Sequence, residues 1–415
     1  MLRKSKLLIA VGSLVIVLYG ASAVFFGKDA YKELAVFMDV LQKILDEYVE
    51  SPDMSKVHEG AMRGLLNALD PQSSFLTREQ YENLQKRQTG AGAGIILSKR
   101  AEVVIVVSLE PDGVAATAGL RPGDYLMEVD GNSVEDKSII EVDSLLHGAP
   151  GEKIKLTIFR DGDTKPRDFE LVLQPPASVQ ANFKMMDGDI GYLQITSLRD
   201  ASVEQVENGL KTLMASGVRR ILLDLRNCAD GSPANGAKVA NFFLKSGVIY
   251  FSRNRHGEKI QVVEAAPEKF LTDLPMAILI NSSTAGAAEI IAGALQDHNR
   301  ARLVGTKSLG VGAEQKTLQL KSGAVLIIST AKYYTPNEKA IQDDTTIRKA
   351  GIDPDIKSPD NEKRQDLSVE SYYDEQDDEG RYRRFRKKVE EIQLEKALEI
   401  LRAAEEYEAP LKKAA

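Results

Sequence analysis

The sequence predicts an α/β protein of several domains, and three observations lead there. The chain has 415 residues, which at roughly 150 residues per domain corresponds to two or three domains. Residues 176–360 alternate strand-type runs (220–225, 276–280, 302–304, 324–329) with helical ones (235–244, 287–295), a pattern that builds helices onto a largely buried sheet. Residues 88–175 hold β-branched runs at 103–107 and 153–159 among frequent glycine turns, the signature of a β-rich module placed before the α/β core.

The flanking segments follow in order. Arg3, Lys4 and Lys6 precede an uncharged run from 7 to 27, which as a helix would cover roughly 30 Å, one hydrocarbon core. Basic residues before such a run predict a cytoplasmic N-terminus and an exported body. Two readings stay open for residues 1–27: a retained signal anchor, favoured by the length of the run, or a signal peptide cleaved near Ala21-Ser22-Ala23. Residues 28–87 read as a helical segment, with Leu34, Phe37, Met38, Leu41, Ile44 and Leu45 at helical spacing. A second helix is expected over 55–69, and a third after Thr77, with Thr77 as N-cap and Gln80 completing a capping box. Residues 361–415 read as a charged, solvated loop followed by a closing helix at 389–405.

Composition narrows the function classes. The net charge of −7 disfavours a general nucleic-acid binder, which would carry a basic face. A single cysteine, Cys228, excludes an intrachain disulfide framework and a multi-thiolate zinc site. It also suits an oxidising compartment. The four histidines, His58, His147, His256 and His298, have no metal-motif spacing, so no metal and no cofactor are expected. His298 reads as a cap for the end of the 287–295 helix.

The segment 89–97 (TGAGAGIIL) places glycines before an apolar strand. Glycines there let backbone N–H groups converge on a carboxylate, and the strand offers an edge for an extended peptide. With 118–131 (AGLRPGDYLMEVDG), this stretch resembles a PDZ domain over about 85 residues. The resemblance implies a carboxylate loop at Gly92, Ala93, Gly94 and Ile95, and a facing helix whose Ile139, Val142 and Leu146 line the groove. The plainer alternative is a PDZ-shaped spacer that holds no peptide.

Further stretches occur in order: 69–77 (LDPQSSFLT), 190–195 (IGYLQI), 223–227 (LDLRN), 289–298 (EIIAGALQDH), 304–310 (VGTKSLG), 331–336 (AKYYTP) and 351–355 (GIDPD). Together they resemble the C-terminal processing peptidases, or tail-specific proteases. That resemblance implies a helical segment, a PDZ module set before a ClpP/crotonase-like α/β core with a serine–lysine dyad, and residence in the bacterial envelope. Family members often oligomerise through terminal helices.

Carried onto this chain, the family's nucleophile position, three residues before the glutamate, is Gly286. Its lysine position is Val311, and its assisting glutamine is Gln315. The loop implicated in holding the oxyanion reads CADG over 228–231, with Asp230 and Gly231 as its equivalents. Glycine has no group to attack a carbonyl and valine cannot accept a proton; losing such a unit costs on the order of 10⁶ in turnover. Thr284 and Lys307 are the nearest substitutes but read more simply as scaffold, since attack requires close, aligned atoms. Cys228 without a clear histidine partner reads as a small buried residue.

The sequence therefore points to an envelope pseudoprotease that binds protein C-termini as scaffold, adaptor or regulator, alone or in mixed oligomers with an active relative. The alternative is an active serine-type endopeptidase acting on exported proteins. The expected location is the bacterial inner membrane with a periplasmic body, or the periplasm if the signal is cleaved, with no nucleic-acid partner.

Overall fold

The computed structural model describes residues 28–87, 90–100, 103–175, 181–342, 350–358 and 378–412. The uncharged run at 7–27 lies outside them. Among the described residues no helix is long and apolar enough to cross a membrane.

Two compact units divide at Gly64/Leu65. The first holds helix α1 (Lys28–Glu47) and the body of helix α2 (Met54–Asn67). Asp53 starts α2 by accepting from the Ser55 amide at 3.0 Å, an N-cap role for a short acidic side chain. Leu34, Phe37, Met38 and Leu45 of α1 are exposed.

The second unit opens with strand β1 (Ser74–Leu76) and helix α3 (Arg78–Arg87). The capping box at Thr77 is present: the Gln80 amide donates to Thr77 Oγ1 at 3.3 Å, and the Thr77 amide donates to Gln80 Oε1 at 2.8 Å. An all-helical reading of 28–87 misses β1. Ser74, Phe75 and Leu76 are all buried and pair with residues 325–327, a long-range pairing invisible to local periodicity.

The β-rich module runs through β2 (Ala91–Gly92), β3 (Ile95–Arg100), β4 (Val103–Leu109), α4 (Val114–Thr117), β5 (Tyr125–Val129), β6 (Asn132–Ser133), α5 (Ile139–Leu145), β7 (His147–Gly148), β8 (Lys153–Phe159) and β9 (Arg167–Val172). Its main sheet has the order β3-β4-β5-β8-β9, so β3 is an edge strand. The 118–131 motif forms a stapled turn. Asp124 accepts from the Arg121 amide at 2.8 Å and holds Arg160 through bonds of 2.7 and 2.8 Å.

The α/β core comprises β10 (Asn182–Met186), β11 (Ile190–Gln194), α6 (Asp200–Ala215), β12 (Arg220–Asp224), α7 (Pro233–Asn241), β13 (Val248–Asn254), β14 (Lys259–Glu264), β15 (Met276–Ile280), α8 (Ala287–Asp297), β16 (Arg302–Gly305), β17 (Ala313–Gln319), β18 (Val325–Tyr334), β19 (Ile356–Lys357) and α9 (Asp378–Lys412). One sheet has the order β10-β11-β12-β15-β16-β19 and is parallel from β11 onward. The second has the order β1-β18-β13-β14, with β17 added to β18.

Alternation along β15 explains the layers. Met276, Ile278 and Ile280 join Leu210, Val239 and Ile291 of α6, α7 and α8 on one face. Ala277 and Leu279 meet Ala397, Leu398 and Leu401 of α9 on the other. Helix α9 extends beyond the expected 389–405 at both ends, so residues 378–388 are helical rather than loop. Its docking is polar as well as apolar. Buried Arg226 holds Asp224 through bonds of 2.6 and 2.9 Å, and its third nitrogen donates to the Glu390 carbonyl and Gln393 Oε1, each at 3.1 Å.

Arg226→Ala would leave the wholly buried Asp224 carboxylate with the Tyr192 hydroxyl and the amide of residue 226, and without the guanidinium. The expected loss of stability is about 3–5 kcal/mol, measured by urea unfolding, with earlier proteolysis of α9 than in the parent chain.

Candidate functional site

Strand β15 ends at Ile280, and the chain turns sharply through 281–285 into α8. Gly286 is the N-cap, at φ 58° and ψ −114°. A residue with a Cβ adopts such a backbone only under strain, whereas glycine does so freely. A Cβ built on Gly286 would meet nothing within 4 Å. The turn thus keeps a sharp elbow in a left-handed backbone and an open space above it, with no side chain to fill that space.

Glu289 lies one turn into α8 and is wholly buried. Its Oε2 accepts from the Gly286 amide at 2.9 Å and from the Val311 amide at 2.8 Å. Its Oε1 accepts from Ser308 Oγ at 2.5 Å and the Gly310 amide at 2.7 Å. One carboxylate therefore pins the elbow to the 308–311 loop. Burial pushes its carboxyl up to about 7, although all four donors pull the other way.

The loop after β12 fuses to the same elbow. Asn227 and Asn281 exchange two bonds of 3.0 Å, the Ala285 amide donates to the Cys228 carbonyl at 2.9 Å, and Thr284 Oγ1 donates to the Leu225 carbonyl at 2.9 Å. Thr284 is fully buried and its proton is engaged, so it is scaffold. Lys307 stands 3.5 Å from Asp353. Cys228 is buried, and desolvation pushes its thiol well up, which suppresses the reactive thiolate.

Val311 is half-buried and presents an alkyl group, while Gln315 is exposed and donates to Ser329 Oγ at 2.7 Å. Asp230 accepts from Ser197 Oγ, the Leu198 amide and Arg199 Nε at 2.8, 3.0 and 2.9 Å. It is an acceptor that staples the neighbouring loop, the wrong polarity for holding a developing oxyanion. Gly231, at φ 97°, is demanded by crowding: a Cβ there would lie 2.3 Å from the Leu198 carbonyl. Among the described residues no group of three or more His, Cys, Asp or Glu could hold a metal ion.

The β-rich module docks on this site. Ser283 Oγ donates to the Val107 carbonyl at 2.5 Å, and Ser108 Oγ donates to the Asn227 carbonyl at 2.9 Å. Between module and core lies a cleft of about 1100 Å³ that runs from Gly94 and Ile95 to Asn227 and Asp230. A second groove of about 440 Å³ lies between β3 and α5, flanked by Tyr81 and Leu84 of α3. The two share Ile95, Ile96 and Asp143.

The groove differs from its sequence reading in two ways. Ile139 lines it, together with Ile140 and Asp143, but Val142 and Leu146 are buried in the module's own core. The helix turns those two positions inward, onto the sheet. In the glycine loop, the Gly92 amide donates to the Gln174 carbonyl and the Ala93 amide to the Leu146 carbonyl, each at 2.9 Å. Those two amides are therefore spent inside the module. Glu110 donates its amide to the Gly94 carbonyl, which makes Ile95 and Leu109 a non-hydrogen-bonded pair and turns the Ile95 amide to the open edge.

Comparison with known proteins agrees with this architecture. Residues 189–358 match the model of peptidase family S41, and residues 105–160 match that of a PDZ domain. The carboxy-terminal-processing protease of Bartonella bacilliformis is 33% identical over 335 residues, covering 79% of this chain and 76% of its own. The chain belongs to peptidase family S41. The carboxyl-terminal-processing protease of Synechocystis is 32% identical to this S41 chain over 320 residues, covering 75% and 73%. A solved photosystem II D1 C-terminal processing protease shares the fold, with a TM-score of 0.65 at 24% identity over 77% of this chain and 86% of its own.

The family resemblance used Glu289 as a landmark and missed its role as a clamp. One signal was available: a lone acid in an otherwise apolar helix start, AAEIIAGAL, three residues after an N-cap. Ser308, Asn227 and Asn281 gave no such signal.

The raised carboxyl of Glu289 fixes the sign of a pH effect. Between about 4.5 and 7 the folded chain binds a proton that the unfolded chain releases. The contribution of this group is therefore full below about 4.5 and is lost as pH rises through 7. Urea unfolding across that range should show the stability difference between the parent and Glu289→Gln shrinking or reversing as pH rises. A difference independent of pH would contradict the assignment.

Proposed function

We propose that this S41 chain is a pseudoprotease, a peptide-binding scaffold, adaptor or regulator that does not hydrolyse peptides. The observation that carries the reading is the elbow. Gly286 stands where the family resemblance puts the nucleophile, and Val311 stands where it puts the base. Three neighbouring hydroxyl or thiol groups are engaged or buried: Ser283 on Val107, Thr284 on Leu225, Cys228 in the core. A general base must reach the proton it removes, and Val311 offers none. Asp230 adds an acceptor where the chemistry calls for donors.

Binding is supported by the edge strand β3, the groove beside it and the cleft that continues toward the elbow. Strand addition would supply affinity through the backbone and the groove would supply selectivity. The reading covers chain ends and internal segments alike. It also includes export behind an N-terminal anchor, with the body in the periplasm, and self-association or mixed assembly with an active relative.

The second reading is an active serine-type endopeptidase, favoured by the names of the relatives and by the preserved elbow geometry. Incubation with an unstructured protein bearing an apolar C-terminus, alongside a fluorophosphonate probe, separates the two. The expected outcome is no cleavage and no labelling. Cleavage that Thr284→Ala abolishes would overturn the pseudoprotease reading.

A further inference from the structure

We propose that Asp143 makes the PDZ-like groove selective for peptide segments that carry an apolar side chain and, two positions away, a lysine or arginine; this rests on the peptide-binding reading and narrows its ligand class.

Helix α5 has two faces. Val142 and Leu146 pack into the module's core. Ile139 and Asp143, four residues apart, share the other face, and His147 follows just past the helix end. Ile139 lines the groove, His147 lines the cleft, and Asp143 lines both, in each case together with Ile95 and Ile96 of β3. The spacing suits an added strand. Four residues of helix advance about 6 Å, and two residues of strand advance about 6.6 Å. A segment laid along the β3 edge therefore turns alternate side chains toward Ile139 and Asp143. Around Ile139 the walls are apolar: Ile140, Leu97, and Tyr81 and Leu84 of α3. At Asp143 the wall is an acid.

Among the described residues no lysine or arginine pairs with the Asp143 carboxylate. His147 Nδ1 stands 3.9 Å from Asp143 Oδ2, beyond hydrogen-bond reach, and 2.8 Å from the Asp143 carbonyl. A carbonyl only accepts, so Nδ1 carries a proton and spends it on the backbone. The three arginines that line the cleft are committed elsewhere: Arg199 to Asp230 and Glu110, Arg226 to Asp224, Arg386 to Glu390. Burial pushes the Asp143 carboxyl above its usual range, against a smaller downward pull from His147. An ammonium or guanidinium brought by a peptide supplies the missing partner, and the alkyl stem of either side chain can lie against Ile95. The Asp143 side chain is 40% exposed, so water screens the pair and the gain is modest.

The test uses the full chain and fluorescent nonapeptides of Ser, Gly and Ala that carry one leucine and, two positions before or after it, a residue that is Lys, Gln or Glu. Each is made with a free and with an amidated C-terminus. In anisotropy titrations at low salt, the lysine peptides of one order are expected to bind about fivefold tighter than their glutamine counterparts, with glutamate weaker still. Asp143→Asn is expected to bring lysine and glutamine within about twofold of each other, while Asp143→Glu and, as a control on another acid of the cleft, Asp112→Asn keep the preference. Equal binding of lysine and glutamine peptides, a preference that Asp143→Asn leaves unchanged, or one that Asp112→Asn removes equally would overturn the proposal while leaving peptide binding intact. Failure of every peptide to bind would overturn the peptide-binding reading, and this proposal with it.

Discussion

A single carboxylate organises the centre of this molecule. Glu289 is buried with no cation paired to it among the described residues, and its two oxygens collect four donors from two segments: Gly286 on one side, and Ser308, Gly310 and Val311 on the other. Burying an unpaired acid is costly unless its lone pairs are satisfied, and here they are. The N-cap bond to Gly286 starts α8, while the bonds to 308–311 fix how that loop passes the elbow. The two positions that would carry a hydrolytic dyad are thus held side by side by a residue that does not belong to the dyad.

The same separation runs through the neighbouring parts. Asn227 and Asn281 tie the loop after β12 to the elbow, Asp230 staples that loop to 197–199, and Ser283 and Ser108 seat the PDZ-like module on top. These bonds join polar side chains to backbone or to one another, and none requires a nucleophile. The outcome is a cleft with the PDZ-like module at its mouth. Function in such a fold has to be argued from the site rather than from the fold.

Much of the fold was legible in the sequence because its strongest signals are local. Strand β15 matches its expected span, since five consecutive apolar residues between turns read as a buried strand. Thr77 and Gln80 announced helix α3 through their capping box. Strand β1 was hidden, because its partner lies on the far side of the PDZ-like module and three residues carry no period. In the site, Gly286 and Val311 could be placed by alignment of motifs. The engagement of the Gly92 and Ala93 amides could not, since glycines permit an anion-binding loop and an internally bonded one equally. Val142 and Leu146 were misread for a related reason: spacing identifies a helix face but not what that face meets.

Amide hydrogen exchange tests the central claim most directly. In the parent chain the amides of Gly286, Gly310 and Val311 should exchange slowly, and Glu289→Gln should accelerate all three together while β12 and β15 keep their protection. Acceleration confined to the elbow or to the 310–311 loop alone, or no change at either, would mean that Glu289 does not hold the two segments and that the register of the vacant site is set elsewhere.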